Sequence, residues 1–116
     1  MKLITKEITK TLPPYTKKWE SEDEVIAHAH YWLGDFDWYL VAGSPVTIND
    51  DGTWHFTKNE DDASDWLLYV KGFSHMCPRG EYGDMFLSEL EHYSIGGFIK
   101  VEREIGWKSR PIKECE

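Results

Sequence analysis

The sequence predicts an α+β domain, a mostly antiparallel sheet of about six short strands with two short helices. Three observations lead there. Short apolar or alternating runs recur along the chain, separated by Gly, Pro, Asn and Asp and not by long helical periodicity. An Asp-Gly pair, Asp51-Gly52, stands between two such runs, which is a strong short-range hairpin signal. The stretch from Asp65 to His92 sets a strand candidate, a Gly/Pro loop and a capped helix in succession. Strands do not alternate with long helices, so a parallel sheet has no support. At 116 residues the chain reads as a single domain over 1–116, with enough surface to bury for one core.

Taken in order, Thr5 to Leu12 reads as a helix, with Thr5 as N-cap and Ile8 and Leu12 on one face, ended by Pro13-Pro14. Lys17 to Glu24 is a polar connection with Trp19 packing back onto the body. Val25 to Leu33 alternates as a strand, with His28 and His30 on one of its faces. After a Gly34-Asp35 turn comes a strand from Asp37 to Ala42, broken or bulged at Gly43-Ser44-Pro45. Val46–Ile48 and Thr53–Phe56 then flank the Asn49–Gly52 turn, and Asn59–Ser64 is an acidic loop.

Trp66–Val70 reads as a buried strand, and Gly72, Pro78, Gly80 and Gly83 mark the loop after it. Ser88-Glu89-Leu90-Glu91 has the form of a capping box opening a helix that Gly96-Gly97 stops. Phe98–Glu104 would be a final or edge strand blunted by charge, and residues 108–116 a polar tail. Trp38, Trp66 and Tyr69 are assigned to the core, while Trp19, Trp54 and Trp107 are the tryptophans expected to be exposed.

The net charge of −8 is segregated. Residues 1–19 carry five Lys against one Glu, residues 20–65 twelve acids against one Lys, and residues 66–116 seven basic against eight acidic side chains. A net-negative domain repels phosphate, so direct nucleic-acid binding is not expected. The acidity suits a basic protein partner or a divalent cation, or serves solubility alone. No apolar run approaches the roughly 20 residues of a membrane helix. The start of the chain lacks an apolar h-region, so the expected location is the cytoplasm. The two cysteines, Cys77 and Cys115, form no CxxC pair and read as plain thiols.

No complete catalytic or cofactor motif is present: GxSxG, GxGxxG and GxxxxGK are all absent. His28-Ala-His30 is the most suggestive pair, because imidazoles two apart on a strand project from one face about 6–7 Å apart at their α-carbons. One divalent transition metal would need a third ligand that the sequence does not fix. His55, His75, Asp35, Asp37 and Glu24 are the candidates for it. Partly buried, hydrogen-bonded strand histidines are the alternative. Asn49-Asp50-Asp51-Gly52 lacks EF-hand spacing and reads as a turn. Cys77 with His75 or His92 lacks a third partner for nucleophilic chemistry.

Several segments together resemble a known family: the Lys2–Glu7 start with Leu12-Pro13-Pro14, His28-Ala-His30, Leu67–Phe73, Gly83–Glu91, Val101–Glu104 and Arg110-Pro111-Ile112. The chain is similar, over nearly its full length, to a family of short bacterial proteins carrying a domain of unknown function. That family is found on plasmids, phages and conjugative elements. Val46–Asp62 and the loop around His75–Pro78 depart from its pattern. The resemblance implies an accessory role on mobile DNA and carries no functional residues over. Small acidic proteins of such elements bind and block host defence nucleases, some by mimicking DNA charge.

The expectation is therefore a non-enzymatic accessory protein without a cofactor that binds a protein partner through an acidic face, Asp50, Asp51, Glu60, Asp61 and Asp62. The alternative is a metal-binding protein or metal-dependent enzyme using His28 and His30.

Overall fold

One long strand sets the frame. In the computed structural model, which describes residues 1–115, β3 runs from Phe36 to Ile48 and the rest of the main sheet is arranged along it. Two short elements precede it, α1 (Lys6–Thr11) and β1 (Ile26–Ala27). One edge of β3 pairs antiparallel with β5 (Asp65–Ser74) from Asp37↔Phe73 to Val46↔Asp65. Its other edge is shared. β2 (Ala29–Leu33) takes the first half and β4 (Trp54–Phe56) takes the end, opposite Val46–Ile48. β6 (Cys77–Phe86) lies outside β5, and β9 (Glu102–Arg103) lies outside β2. The order β6-β5-β3-β2-β9, with β4 beside β3, makes a six-stranded antiparallel sheet. Helix α2 (Leu87–His92) follows β6 directly. Two small pairs complete the fold, β7 (Ser94–Ile95) with β8 (Ile99–Lys100) and β1 with β10 (Arg110–Pro111).

The α+β class and the antiparallel sheet are as the sequence predicts. Thr5 caps α1, its hydroxyl accepting from the Ile8 N–H at 3.3 Å. Four local expectations are corrected. Gly43-Ser44-Pro45 does not break the strand: β3 runs through it, the bulge lies between Leu40 and Ala42, and the Pro45 carbonyl accepts from Thr57 N at 3.1 Å. The Gly/Pro stretch after Val70 is not a loop but part of a hairpin that turns at His75-Met76, with Gly72 in its first arm and Pro78, Gly80 and Gly83 in its second. An edge strand tolerates Pro78 and its glycines because it needs no outward partners. Helix α2 opens without a Ser88 cap. The Glu89 carboxylate accepts from Phe86 N at 3.1 Å, while the Ser88 hydroxyl donates to Asp65 at 2.5 Å. Phe98–Glu104 splits at buried Val101 into β8 and β9.

The tail differs as well, since Ile112 is fully buried at the start of a 3-10 turn over Ile112–Cys115. Glu116, the last residue of the expected polar tail, lies outside the described residues. Trp19 and Trp107 are half-buried, and Trp107 Nε1 donates to the Ala27 carbonyl at 3.0 Å. Trp54 is the exposed tryptophan. Trp38 and Trp66 pack, half-buried, on the core as expected.

Both faces of the sheet are covered. Leu40, Leu68, Val70, Tyr31 and Leu90 centre the first core, under α1 and α2. Val25, Ala27, Val41 and Ile112 centre the second, with Tyr39, Tyr69, Tyr82, Trp19 and Trp107 packed around them. In the first core the Tyr31 hydroxyl, fully buried, donates to the Leu3 carbonyl at 2.6 Å. That bond fastens the N-terminal segment to β2. Tyr31→Phe leaves a buried carbonyl without its donor and should lower stability by about 1–3 kcal/mol, read as a shift of the urea midpoint at unchanged slope.

Candidate functional site

The ladder register fixes what β4 shows to solvent. Asn49 N donates to Thr53 O at 2.7 Å, and Thr57 N donates to Pro45 O at 3.1 Å. Hydrogen-bonded pairs alternate along an antiparallel ladder, so Thr47↔His55 is the bonded pair between them. Trp54 and Phe56 therefore aim their N–H and C=O groups outward, along an edge with no further strand among the described residues. Their side chains share one face with Ile48, and the exposures are 40% for Ile48, 40% for Trp54 and 44% for Phe56. Trp54 meets Phe56 edge-on at 5.2 Å and Phe86 at 5.8 Å, which holds the indole in place.

Carboxylates stand at the turn end of this edge. Asp50 and Asp51 occupy the turn, where Gly52 has φ 87. Asp51 accepts from the Thr53 hydroxyl at 2.6 Å and the Thr53 N–H at 3.0 Å, bonds that hold its carboxyl below its ordinary value. Glu60, Asp61 and Asp62 form a 3-10 turn capped by Asn59, which accepts from Asp61 N at 3.0 Å. Lys6 and Lys10 of α1 flank Glu60 and Asp61 across a small hollow. All five expected acids are exposed. They form two groups, Asp50 and Asp51 in the turn between β3 and β4, and Glu60–Asp62 across β3 from β4, where the Thr47 hydroxyl donates to the Asp62 carbonyl at 3.5 Å and Ser64 N donates to the Val46 carbonyl at 2.9 Å. Between Val46 and Asp65 the only basic residue among six carboxylates is Lys58.

The two strand histidines take separate partners. The strand is interrupted at His28, whose Nδ1 lies 3.2 Å from the Thr11 hydroxyl and 3.5 Å from that of Ser109. Burial pushes its imidazole below the ordinary histidine value. His30 lies between two carboxylates, with Nε2 2.7 Å from Asp37 and Nδ1 2.8 Å from Glu104, and its ring stacks on Tyr39 at 4.6 Å. Among the described residues, no group of three or more His, Cys, Asp or Glu is placed to hold a metal ion. His75 pairs with Asp35, and His92 Nδ1 lies 2.6 Å from the Ser88 carbonyl, so neither imidazole is engaged with Cys77. Cys77 and Cys115 are not joined in a disulfide, and Cys115 Sγ donates to the Pro111 carbonyl at 3.6 Å.

A third arrangement escaped the sequence reading. Lys71 is buried, 5% exposed, between the rings of Phe73 and Tyr82 at 5.5 and 5.2 Å. Its ammonium reaches Glu22 at 3.1 Å, and the Tyr82 hydroxyl donates to the same carboxylate oxygen at 2.6 Å. Those two bonds, Tyr82 first, hold the Glu22 carboxyl below its ordinary value. The turn that presents Glu22 is a capping box, with Ser21 accepting from Asp23 N at 3.2 Å and Glu24 accepting from Ser21 N at 3.4 Å. Ser21-x-x-Glu24 was the available signal. Nearby, Tyr15 donates to Asp84 at 2.6 Å, and chiefly through that bond its phenol is pushed up to about 12.

Comparison with protein-family models, curated proteins and solved structures gives no match to this chain. No helix among the described residues is long and apolar enough to cross a membrane.

The Glu22 node carries a pH signature. A carboxyl held below its ordinary value of 4.5 adds stability that is present above that pH and fades as pH falls through its folded value. Glu22→Gln should thus lower the melting temperature at pH 7, and the difference from the wild type should close on acidification towards pH 3. Melting curves of both proteins across that range provide the check.

Proposed function

We propose that this chain is a non-catalytic binding domain that takes a basic, extended segment of a protein partner along the β4 edge. The observation that carries it is the open backbone of Trp54 and Phe56, set beside exposed apolar side chains and flanked at its turn end by Asp50 and Asp51. Strand addition supplies main-chain hydrogen bonds, and the alternate side chains of the added strand meet Ile48, Trp54 and Phe56. A lysine or arginine near one of its ends meets Asp50 and Asp51, and Glu60, Asp61 and Asp62 add to the negative field around the edge from across β3. The same charges disfavour pairing of this edge with a second acidic copy, which gives the edge its direction of choice. The proposed setting is a mobile genetic element, on the strength of the family resemblance alone. There an acidic domain of this kind binds a host protein whose basic surface ordinarily faces DNA.

The probe is a synthetic extended peptide of alternating Lys and Val, titrated while following tryptophan fluorescence. Binding should strengthen as salt is lowered, because exposed charge pairs are screened beyond about 8 Å at physiological ionic strength. A peptide with Glu in place of Lys should not bind. Neutralising Asp50, Asp51, Asp61 and Asp62 to Asn should weaken binding about tenfold or more, on the order of 1–2 kcal/mol for a few rim charge pairs, with an unchanged circular dichroism spectrum. An affinity that ignores those four substitutions contradicts the proposal.

A further inference from the structure

The opposite end of β3 carries a second surface. Phe36 and Trp38 project from one face of the strand with their rings stacked at 6.0 Å and 13°. Tyr93, just past α2, stacks on Trp38 at 5.8 Å and 20°. The three rings make a continuous, nearly parallel strip. Beside it the sheet is hollow, because Gly72 and Gly83 place no side chains there. A Cβ on Gly83 would meet nothing within 4 Å, and one on Gly72 would meet the Trp38 indole at 3.4 Å. Two hollows of about 330 and 500 Å³ share Phe36, Trp38 and Tyr93 and so form one groove. Glu81 and Glu89 stand on its rim.

The β7–β8 hairpin rises from the same place, since Ser94 and Ile95 line the groove. Gly96 and Gly97, at φ 62 and φ 76, make its turn, closed by Phe98 N donating to Ile95 O at 3.3 Å. At the tip Phe98 is 91% exposed, with Ile99 at 58% and Ile95 at 48%. Lys100 follows on the same short strand. The hairpin arms are two residues each, so the tip does not fold back into the groove at its own base.

A protruding aromatic, an apolar groove beside it, a lysine on the one and carboxylates on the other make a self-complementary surface. We propose that two copies of this chain form a two-fold dimer. The Phe98 tip of each enters the partner copy's groove over Trp38 and Gly83, Ile99 covers Phe36 and Tyr93, and Lys100 approaches Glu81 and Glu89. The area agrees with this occupant. At about 150–250 Å² for a large side chain, the exposed parts of Phe98, Ile99, Ile95, Phe36 and Tyr93 amount to about 550 Å² per copy. A stable interface of about 800 Å² per partner, with roughly 65% of it apolar as in homodimers, calls for about 520 Å². The dimer does not depend on the β4 edge. It would leave both acidic hairpins at its far ends, so that one assembly offers two docking edges.

Sedimentation equilibrium of the full chain from micromolar to millimolar concentration tests it. The wild type should reach twice the 13.6 kDa chain mass, and association should strengthen with added salt as repulsion between net-negative copies is screened. Phe98→Ser removes the tip from a position with almost no intramolecular contact, and Gly83→Phe fills the groove at a site with open space. Each should raise the dimer dissociation constant at least tenfold while the circular dichroism spectrum and melting temperature stay put. A wild type that remains monomeric at millimolar concentration overturns the proposal, as does either variant dimerising like the wild type. Peptide binding at β4 should be equal in both variants and the wild type, so failure of one proposal is distinct from failure of the other.

Discussion

A strand of thirteen residues needs backbone partners along both of its edges, and the rest of the structure follows from how β3 finds them. β5 satisfies one edge almost throughout, with its register shifted by one residue at the bulge between Leu40 and Ala42. β2 is five residues long and stops short on the other edge. The hairpin through Asn49–Gly52 brings β4 back to complete it. β4 is therefore required by β3 but is itself served on one edge only. The same strand length separates the two surfaces, with the aromatic strip of Phe36 and Trp38 at its start and the acidic hairpin at its end.

The acidity of residues 20–65 is divided between internal and outward use. Glu22 holds Lys71 and Tyr82, Glu24 closes a capping box, Asp35 pairs with His75, Asp37 pairs with His30, and Asp65 binds the Ser88 hydroxyl. The Glu22, Asp35 and Asp65 interactions tie segments far apart in sequence, and each of the five acids has an opposite charge or a donor within hydrogen-bond reach. The acids of the hairpin have mainly local partners: Asp51 bonds Thr53, and Asp62 bonds Asn59. A segment read as uniformly acidic is thus part scaffold and part surface. Of what remains on the surface, Asp50 and Asp51 stand at the turn end of the open strand edge.

How far this was legible depends on whether the signal was local. The Thr5 cap, the Asp51-Gly52 hairpin and the buried Leu67–Val70 run are set by neighbouring residues, and the structure keeps them. β6 was hidden because Pro78, Gly80 and Gly83 signal a loop anywhere except on an edge strand, and edge position is decided by the whole sheet. The buried Ile112 was lost in a polar tail because its contact with Val25 and Ala27 lies more than eighty residues back. The His28-x-His30 pattern was visible, but its environment was not. Glu104 reaches His30 across 74 positions, and the strand interruption at His28 sends that imidazole to Thr11 and Ser109. The five acids were visible as charge, whereas the open backbone beside Asp50 and Asp51 needed the ladder register.

Amide hydrogen exchange followed by NMR addresses that open edge most directly. The outward-facing N–H groups of Trp54 and Phe56 should exchange almost without protection in the free protein, while the His55 amide, paired with Thr47, is slowed. Saturation with the basic extended peptide should then protect Trp54 and Phe56 together. Strong protection of both amides in the free protein, or exchange that the bound peptide leaves unchanged, would contradict an edge built to receive a strand.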